Sequence, residues 1–553
     1  MKKMKKILAM LLAVVMVMGM CVTVMAEEDG ASDSLAGKLP KNTDAKAITI
    51  ENVEEGATYR AYQIIDAAYG PDGEKFIGYV WAPGTGDNAG QKVEFTNAGA
   101  DAVVNGLTDE LITALAADPT GLVEKVNYTP ETPLEAGTWM ILVTPPEENA
   151  VKIYNPMIAS VYYSVNGSGS MNDLESGTVD AGEDWTLEAT GAFAKSSEIT
   201  IDKDLDNRED DTEISVGDTV SFTITTKIPS YNKNYYKNPV FIIKDEIVNG
   251  LAYVETDGKK ADPQVYVGGT EKENLVAAGD TTYRIEWKPT TEGKPSFQII
   301  FAASYLTGLA DKEVEARNVT VKYSTTITEE AVNRVGENKA SLEFSRTPDK
   351  TDTKEDKEYI FTFAIHGMFY KEDDKGQKLP DATFTLYVAD NEGEETIQWA
   401  EGETVAVSEV DHYETGADGE IKFKGLDGDK TYYLRETEAP KGYSINDTIY
   451  KVVFTFEKPE NYKGEDITYT VTVTNNKDNE NKTSTVTYGK AVTIEGETYG
   501  NAAMGDKINI PNTKISSLPS TGGIGTTIFT IGGCTIMIIA AGLFFATRRK
   551  TEK

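Results

Sequence analysis

The sequence has almost none of the cysteine that would let it form disulfides. It contains only two cysteines in 553 residues. Cys21 lies in an apolar segment near the start and Cys534 in an apolar segment near the end, so the long stretch between them has none. A disulfide within that stretch is therefore excluded, although extracellular domains commonly use one for covalent reinforcement. Any covalent staple in this chain must be of another kind.

Histidine is equally scarce, and this argues against an enzyme. A Ser-His-Asp triad, a Cys-His pair or a zinc cluster is hard to build from His366 and His412 alone. We expect His366 in a strand and His412 in a polar loop, both in structural roles. The chain also lacks a glycine-rich phosphate loop and an acidic calcium loop of the expected spacing. We therefore expect no cofactor and no metal site.

Basic residues are few compared with acidic ones. The chain has 54 Lys and Arg against 89 Asp and Glu, and its formal net charge is −35. Such a surface repels nucleic acid and anionic membranes, so we exclude nucleic acid as a partner. The balance suits a solvated extracellular protein.

Residues 1–26 have the layout of a secretory signal peptide. A lysine-rich start precedes an apolar run, and "VMA" supplies the small-residue spacing for cleavage after Ala26. An N-terminal membrane anchor is the alternative, but the apolar run is near the lower limit for a membrane span.

The C-terminal segment predicts a membrane anchor that follows a short motif. Residues 524–547 carry no charge, which is enough to cross roughly 30 Å of hydrocarbon. Arg548 and the basic residues after it would stop transfer on the cytoplasmic side. Directly before this span, at 518–522, stands "LPSTG". A plain tail-anchored protein is the alternative interpretation.

These three parts in order resemble the LPXTG cell-wall sorting signal of Gram-positive surface proteins. The motif residues are Leu518, Pro519, Ser520, Thr521 and Gly522. The resemblance implies that a membrane sortase cleaves between Thr521 and Gly522 and passes the Thr521 acyl group to an amine.

Between the two ends, the sequence predicts an all-β protein. Short alternating runs such as "TVSFTITTKI" and "ITYTVTVTN" are typical of Ig-like β-sandwiches in series. One helix is predicted over 106–126, with Thr108 as its N-cap. Boundaries at 195–198 and at the charged segment 346–358 predict three domains. Their ranges are 45–194, 198–346 and 358–515.

Polar residues on apolar strand faces give the most specific prediction. Because side chains alternate along a strand, Lys203 shares the inward face of Ile199 and Ile201. By the same parity Asp245 lies with Phe241, Ile243 and Ile247, and Asn338 lies with Ala340, Leu342 and Phe344. One lysine, one acid and one asparagine thus point into the second domain.

The third domain repeats this set. Lys371 shares parity with Phe363, Ile365 and Phe369, Glu436 with Tyr432 and Leu434, and Asn512 with Ile508 and Ile510. In each domain we expect the lysine on the first strand and the asparagine on the last. A single polar residue of this kind would more simply sit at a strand end and reach solvent. Two complete sets in corresponding positions argue against that interpretation.

Burial explains what such a set can do. Burying both ions costs several kcal/mol each, so burial favours a neutral amine and a protonated acid. A neutral amine is a nucleophile, and the acid can polarise the asparagine carbonyl and move protons. The product would be a Lys–Asn isopeptide bond with loss of ammonia. The protein would be its own single-turnover substrate.

Together with these residue sets, several segments of the sequence resemble the sortase-assembled backbone pilins of Gram-positive bacteria. "YYLRETEAPKGY" is similar to the E-box of their Cna-B-type domain, and "KEDDKGQKLPDATFTLY" to its first-strand segment, with Asp381 where glycine is usual. "NKASLEFS" resembles the closing strand of the fimbrial isopeptide domain. The resemblance implies Lys203–Asn338 and Lys371–Asn512 bonds, promoted by Asp245 and Glu436. No equivalent set is found in the first domain.

The resemblance also assigns a role to Lys195. Backbone pilins carry a motif W-x-x-x-V-x-V-Y-P-K whose lysine is the sortase acceptor. Here "WTLEATGAFAK" puts Lys195 one residue further from Trp185, with Ala194 in place of proline. An ordinary exposed lysine at a domain junction is the alternative. If Lys195 is exposed while Lys203 points inward, "SSE" should interrupt the strand between them.

The function implied is a structural subunit of a covalent, adhesion-supporting pilus on the cell wall. A class C sortase would join Thr521 of one subunit to Lys195 of an identical one, and a housekeeping sortase would attach the polymer to peptidoglycan. Minor pilins are possible further partners. The alternative is a monomeric wall-anchored adhesin or a minor pilin at the tip or base.

Overall fold

The computed structural model describes residues 39–548 except for short gaps. These gaps are 74, 96–103, 148–149, 166–184, 207–214, 249, 329, 332–334, 394, 458–461, 489–490, 495–496, 501–503 and 516–523. The predicted signal peptide and the "LPSTG" motif lie outside the described residues. The chain divides into two compact units. The first comprises 1–209, 219–327 and 336–359, and the second comprises 210–218, 328–335 and 360–553.

The N-terminal part of the first unit contains a six-stranded main sheet and three two-stranded sheets. Its strands are β1 Ala45–Lys46, β2 Ile50–Glu51, β3 Thr58–Tyr69, β4 Phe76–Trp81, β5 Val123–Lys125, β6 Leu134–Glu135, β7 Gly137–Thr144, β8 Lys152–Tyr154, β9 Met157–Val165, β10 Trp185–Ala189, β11 Ala192–Phe193 and β12 Ser196–Glu198. The main sheet has the order β10-β9-β7-β3-β4, with β5 paired to β3. Helix α1 (Asp109–Ala117) follows β4, and the Thr108 side chain caps it by accepting from Leu111 N at 3.2 Å.

The predicted helix is confirmed but shorter than expected. It ends at Ala117, and the stretch expected to continue it instead contains β5. The sequence explains the end, because Asp118-Pro119 follows Ala117 directly. The residue before a proline is biased away from helical geometry.

The rest of the first unit holds two five-stranded sheets and one two-stranded sheet. Their strands are β13 Ile201–Leu205, β14 Thr219–Lys227, β15 Phe241–Val248, β16 Leu251–Tyr253, β17 Glu255–Thr256, β18 Lys259–Lys260, β19 Gln264–Val267, β20 Tyr283–Trp287, β21 Ser296–Phe301, β22 Asn318–Ile327, β23 Gly336–Thr347 and β24 Lys350–Ile360. One sheet runs β13-β14-β22-β16 with β19 on β22, and the other runs β20-β21-β15-β23-β24. Helix α2 (Ala303–Gly308) follows β21. Alternating burial along β14 and β15 matches their alternating sequences.

The charged segment expected to separate two domains is a strand. Residues 350–360 form β24, which extends the second sheet beside β23. Its side chains alternate between exposed and half-buried up to Glu358. The segment lacks apolar periodicity because it is an edge strand with little of its surface buried, and such edges are commonly charged.

The second unit contains a three-stranded, an eight-stranded and a two-stranded sheet. Its strands are β25 Phe363–Asp373, β26 Thr383–Ala389, β27 Glu395–Ala400, β28 Glu403–Glu414, β29 Glu420–Leu426, β30 Thr431–Glu438, β31 Ile449–Thr455, β32 Thr468–Asn475, β33 Asn481–Thr487, β34 Ala491–Ile494, β35 Glu497–Gly500, β36 Met504–Gly505 and β37 Ile508–Asn512. The sheets run β29-β25-β37 and β27-β28-β26-β30-β31-β32-β33-β36. The all-β prediction is therefore confirmed.

Three details of this unit bear on the sequence predictions. His366 lies on β25 as expected, but His412 lies on β28 rather than in a loop. His412 is exposed there and lies 3.0 Å from Glu409, in keeping with a structural role. Asp381 has φ 60°, a left-handed conformation that explains why related sequences prefer glycine at this position.

The chain ends in a long apolar helix. Helix α3 spans Ile524–Arg548, and its 20 residues from Phe529 to Arg548 have a mean hydropathy of 2.1. Its length and composition suffice to cross a membrane. The predicted C-terminal helix is confirmed.

Two buried lysine–carboxyl–asparagine triads

In the first unit, strand pairing brings Asp245 and Asn338 together. Asp245 lies on β15 opposite Ala340, and Asn338 lies on the adjacent strand β23 opposite Ile247. The two polar side chains are therefore diagonal neighbours on one inward face. Lys203 reaches the same place from β13, at the edge of the other sheet. All three are buried, whereas Asp202 and Asp204 on either side of Lys203 are exposed.

The lysine and the acid of this triad are in direct contact. Lys203 Nζ lies 2.5 Å from Asp245 Oδ2. Tyr253 donates a hydrogen bond to the other carboxylate oxygen, Oδ1, at 2.9 Å. Burial lowers the pKa of Lys203 below its ordinary value, and Asp245 opposes this shift only in part. A lowered pKa increases the fraction of neutral, nucleophilic amine.

The asparagine of this triad is reached through a tyrosine. Asn338 Nδ2 donates to the hydroxyl of Tyr323 at 2.9 Å, and that hydroxyl donates to Asp245 Oδ2 at 2.6 Å. The same hydroxyl also accepts a hydrogen bond from Lys203 Nζ. Asn338 Oδ1 is buried without a hydrogen-bond partner among the described residues.

In the second unit, the triad is formed around β25. Lys371 lies on β25 directly opposite Ile510 of the parallel strand β37, which carries Asn512 two residues further on. Glu436 comes from β30 of the eight-stranded sheet. All three side chains are buried.

This second triad is closed by direct contacts. Lys371 Nζ lies 2.5 Å from Asn512 Oδ1 and 2.9 Å from Glu436 Oε2. Asn512 Nδ2 donates to Glu436 Oε1 at 2.7 Å, and the backbone N–H of Asn446 donates to Oε2 at 2.8 Å. Burial lowers the pKa of Lys371, with Glu436 acting in the opposite direction.

The structure corrects one expectation about strand order and one about side-chain parity. Asn338 is not on the last strand of its sheet, because β24 follows β23 and pairs with it. Simple parity also fails along β25, where register shifts separate Phe363, Ile365 and Phe369. Lys371 is nevertheless buried, since almost the whole strand is covered on both faces.

Sequence reasoning missed the residues that support the triads. Tyr323 shares the inward face of β22 with Val319 and Val321, so parity could have predicted its burial. No sequence signal could have shown that its hydroxyl contacts the triad. Tyr253 and Asn446 lie outside any motif that we recognised.

Lys195 lies apart from both triads, in a short break between strands. Its side chain is exposed, and it forms no ion pair or hydrogen bond with the described residues. The backbone around it is fixed, because Asn155 N donates to Lys195 O at 3.0 Å and Asn52 Nδ2 donates to Ala194 O at 2.9 Å. Trp185 is buried on β10.

The expected interruption between the two lysines exists, but not at "SSE". Residues 196–198 are themselves strand β12, paired with β8. The buried parity changes between Ala194 and Ser197, so the break falls at Lys195 itself. A second break at 199–200 precedes β13.

Comparison with known sequence families agrees with this architecture. Residues 43–196 match the T6 antigen Ig-like domain, and residues 367–488 match the SpaA prealbumin-like fold domain. Residues 510–553 match the LPXTG cell wall anchor motif. The chain is therefore a cell-wall-anchored surface protein with β-sandwich domains.

Relatives share this organisation over most of the chain. The trypsin-resistant surface T6 protein of Streptococcus pyogenes serotype M6 is 24% identical over 92% of this chain and 95% of its own length. The solved T6 backbone pilin of that serotype has a TM-score of 0.54 at 19% identity, covering 86% of this chain and 99% of its own. The major pilin SpaD of Corynebacterium diphtheriae aligns more weakly, with a TM-score of 0.46 at 16% identity over 86% of this chain and 99% of its own.

The three family matches, the T6 relative and the fold of the T6 backbone pilin confirm the resemblance predicted from the sequence. The chain has the domain content and the fold of a sortase-assembled, Gram-positive backbone pilin.

Proposed function

We propose that this protein is the structural subunit of a covalent surface pilus that supports adhesion. In this proposal sortase joins Thr521 of one subunit to Lys195 of the next, and Lys203–Asn338 and Lys371–Asn512 isopeptide bonds stabilise each subunit. The observation that carries the proposal is the second triad, in which a buried lysine amine lies 2.5 Å from the carbonyl oxygen of Asn512.

The chemistry follows from the contacts of that triad. The neutral Lys371 amine attacks the side-chain carbonyl carbon of Asn512, and a C–N bond forms. One amine proton must reach Asn512 Nδ2, which then leaves as ammonia. Glu436 touches both nitrogens, at 2.9 Å from Nζ and 2.7 Å from Nδ2, so it can carry that proton.

Intact mass tests the internal bonds. Each bond removes one ammonia, about 17 Da, so we expect the secreted protein to be lighter than its sequence by two ammonia losses. Proteolytic fragments should contain the 203–338 and 371–512 cross-links. A mass equal to that of the unmodified chain would refute both bonds.

Lys195 suits the proposed acceptor because it is exposed on a fixed backbone. An acceptor amine must enter the active site of another protein, and an exposed lysine between pinned neighbours offers such an approach. The acyl group would come from Thr521, and peptidoglycan would receive the finished polymer. A class C sortase and a housekeeping sortase are the proposed enzymes, with minor pilins as possible further partners.

An immunoblot of the expressing cell wall tests this use of Lys195. The wild-type protein should give a ladder of high-mass species, and Lys195→Ala should reduce it to monomer. Lys233→Ala is the matched control, because Lys233 is also an exposed lysine of the first unit. A ladder that survives Lys195→Ala refutes Lys195 as acceptor. Absence of a ladder in wild type favours the monomeric adhesin or minor pilin.

A further inference from the structure

A fourth polar side chain, Tyr323, lies among the three residues of the first triad. The hydroxyl of Tyr323 contacts all three triad residues: it accepts from Lys203 Nζ and from Asn338 Nδ2 and donates to Asp245 Oδ2. Within the described residues no hydrogen bond joins Asn338 to Asp245 or to Lys203. The hydroxyl therefore occupies the position between the amine that would attack and the amide that would be displaced.

The reaction needs a group in that position. Bond formation removes a proton from Nζ and adds one to Nδ2, so a proton must travel from one nitrogen to the other. In the second triad Glu436 contacts both nitrogens directly. In the first triad Asp245 contacts only Nζ, and the group that contacts both nitrogens is Tyr323.

We propose that Tyr323 is a catalytic residue of the Lys203–Asn338 reaction, acting as the proton relay between the two nitrogens. This inference rests on the proposed function, because it assumes that the Lys203–Asn338 bond forms. It adds a residue that the lysine–acid–asparagine set does not include.

The proposed steps start from a neutral Lys203 amine and an ionised Asp245, whose carboxylate accepts hydrogen bonds from Tyr323 and Tyr253. The Nζ lone pair forms the new bond to Cγ of Asn338, and the surplus proton on Nζ passes to the Tyr323 oxygen as the phenolic proton passes to Asp245. Asp245 then returns a proton to Tyr323, which delivers its own to Nδ2. The Cγ–Nδ2 bond breaks, ammonia leaves, and both Tyr323 and Asp245 return to their starting states.

The surroundings of Tyr323 hold its hydroxyl in place. Its ring stacks on Phe222 at 5.7 Å between centroids and packs edge-on against Phe297 at 5.1 Å. Burial, with Asp245 nearby, raises the pKa of Tyr323 well above its ordinary value. The group therefore stays a neutral phenol that can accept one proton while it donates another.

The contact with the amide does not depend on which way the amide is turned. A half-turn of the Asn338 side chain would exchange Nδ2 for Oδ1, the oxygen that is otherwise without a partner. In that orientation the Tyr323 hydroxyl would face the oxygen on which negative charge develops. The relay itself uses the orientation found in the structure, in which the hydroxyl contacts Nδ2, the nitrogen that must gain the proton.

Tyr323→Phe tests the relay, because it removes the hydroxyl and keeps the ring. The variant should form the Lys371–Asn512 bond normally while the Lys203–Asn338 bond forms at least about 100-fold more slowly, as expected for loss of a proton-transfer group. The readout is intact mass over time after refolding of the full ectodomain. We expect one ammonia loss in the variant and two in the wild type.

Tyr253→Phe is the matched control. It removes another buried hydroxyl that contacts Asp245 at 2.9 Å but neither Lys203 nor Asn338. This control should still show both ammonia losses, with the Lys203–Asn338 bond slowed no more than about tenfold, because it loses one hydrogen bond to Asp245 and keeps the relay. Lys203→Met cannot form the bond and serves as the unlinked reference. Near-UV circular dichroism of Tyr323→Phe and of this reference checks that an unlinked first unit still folds.

Each outcome decides the proposal. Two ammonia losses in Tyr323→Phe at the wild-type rate would overturn the relay and leave the proposed bonds intact. An equal slowing in Tyr253→Phe would overturn the specific role of Tyr323, since general disturbance of Asp245 would then suffice. A wild-type mass without ammonia loss would refute the proposed bonds, and the relay with them.

Discussion

The two triads use the same three kinds of side chain but connect them differently. In the second unit, lysine, glutamate and asparagine form a closed ring of direct contacts, with Glu436 touching both nitrogens. In the first unit, the shorter Asp245 contacts Lys203 and reaches Asn338 only through Tyr323. An aspartate is one methylene shorter than a glutamate, and the tyrosine hydroxyl fills the remaining distance.

The surroundings of the two lysines differ as well. Beyond Asp245, the first triad lies near further carboxylates. Asp356 on β24 accepts a hydrogen bond from the Lys203 backbone N–H at 2.7 Å, and the charge of Glu358 acts on Lys203. Glu436 is the one carboxyl group that acts on Lys371 in the same way among the described residues. The edge strand β24 therefore gives the first triad an acidic border.

The largest expected effect comes from removing the acid of either triad. Asp245→Asn and Glu436→Gln keep side-chain size but cannot take up a proton. Each should abolish the bond of its own unit and leave the other, giving one ammonia loss instead of two by intact mass. Loss of a cross-link that closes a loop of over 100 residues should also lower the stability of that unit by about 4 to 5 kcal/mol, by analogy with disulfides.

Cross-linked peptide mapping shows which bond each of these variants retains. Loss of both bonds in either variant would mean that the triads are not independent. Retention of both bonds in either variant would mean that the acid is not needed for the reaction.

A smaller effect is expected from a residue that supports only the second triad. Asn446 Nδ2 donates to Pro511 O at 2.8 Å, next to Asn512, while the Asn446 backbone N–H contacts Glu436. Asn446→Ala keeps the backbone contact and loses the tie to β37, which is worth about 1 kcal/mol, together with the hydrogen bond that Thr448 N donates to Asn446 Oδ1 at 2.9 Å. We expect the Lys371–Asn512 bond to form about five- to tenfold more slowly, measured by mass after refolding.

Asn476→Ala is the control for this prediction. The Asn476 side chain accepts from Ile449 N at 2.9 Å, so the variant also loses a side-chain hydrogen bond of the second unit, but one in which no triad residue takes part. It should leave the rate of bond formation unchanged. Equal slowing in both asparagine variants would contradict a positioning role for Asn446.

The smallest expected effect concerns the acidic border of the first triad. Burial, with Asp356 and Asp204 nearby, raises the pKa of Glu358 to about 7 from an ordinary 4.5. Since the folded pKa is the higher one, ionisation of Glu358 disfavours folding as pH rises from about 4.5 to about 7. Glu358→Gln should therefore stabilise the first unit by about 1 kcal/mol at pH 8, after allowance for solvent screening, and by little at pH 4.

Thermal unfolding of the first unit at pH 4 and pH 8 measures this difference. Glu255→Gln, at an exposed glutamate of the same unit, should change stability by less than about 0.5 kcal/mol at both pH values. A gain in Glu358→Gln that is equal at the two pH values would show that ionisation of Glu358 is not its cause.

Much of the site could be predicted from strand parity. Burying a lysine is so costly that one on an apolar face is conspicuous, and this identified Lys203, whose neighbours Asp202 and Asp204 are exposed as expected. Parity worked for Lys371 only because β25 is covered on both faces, since register shifts break the alternation before that residue. Helix α1 ended earlier than predicted because Pro119 disfavours helical geometry at Asp118, directly after Ala117.

The sequence by itself determined what is local and periodic: the alternating strands, the inward lysines, the apolar C-terminal helix and the motif before it. Only the tertiary structure decided how groups far apart in the chain meet. Tyr323 reaches the first triad from β22, which belongs to a different sheet from β15 and β23. The edge strand β24 lies beside the triad because it pairs with β23, the strand that carries Asn338. Such contacts depend on sheet pairing and side-chain length together, and neither leaves a periodic pattern in the sequence.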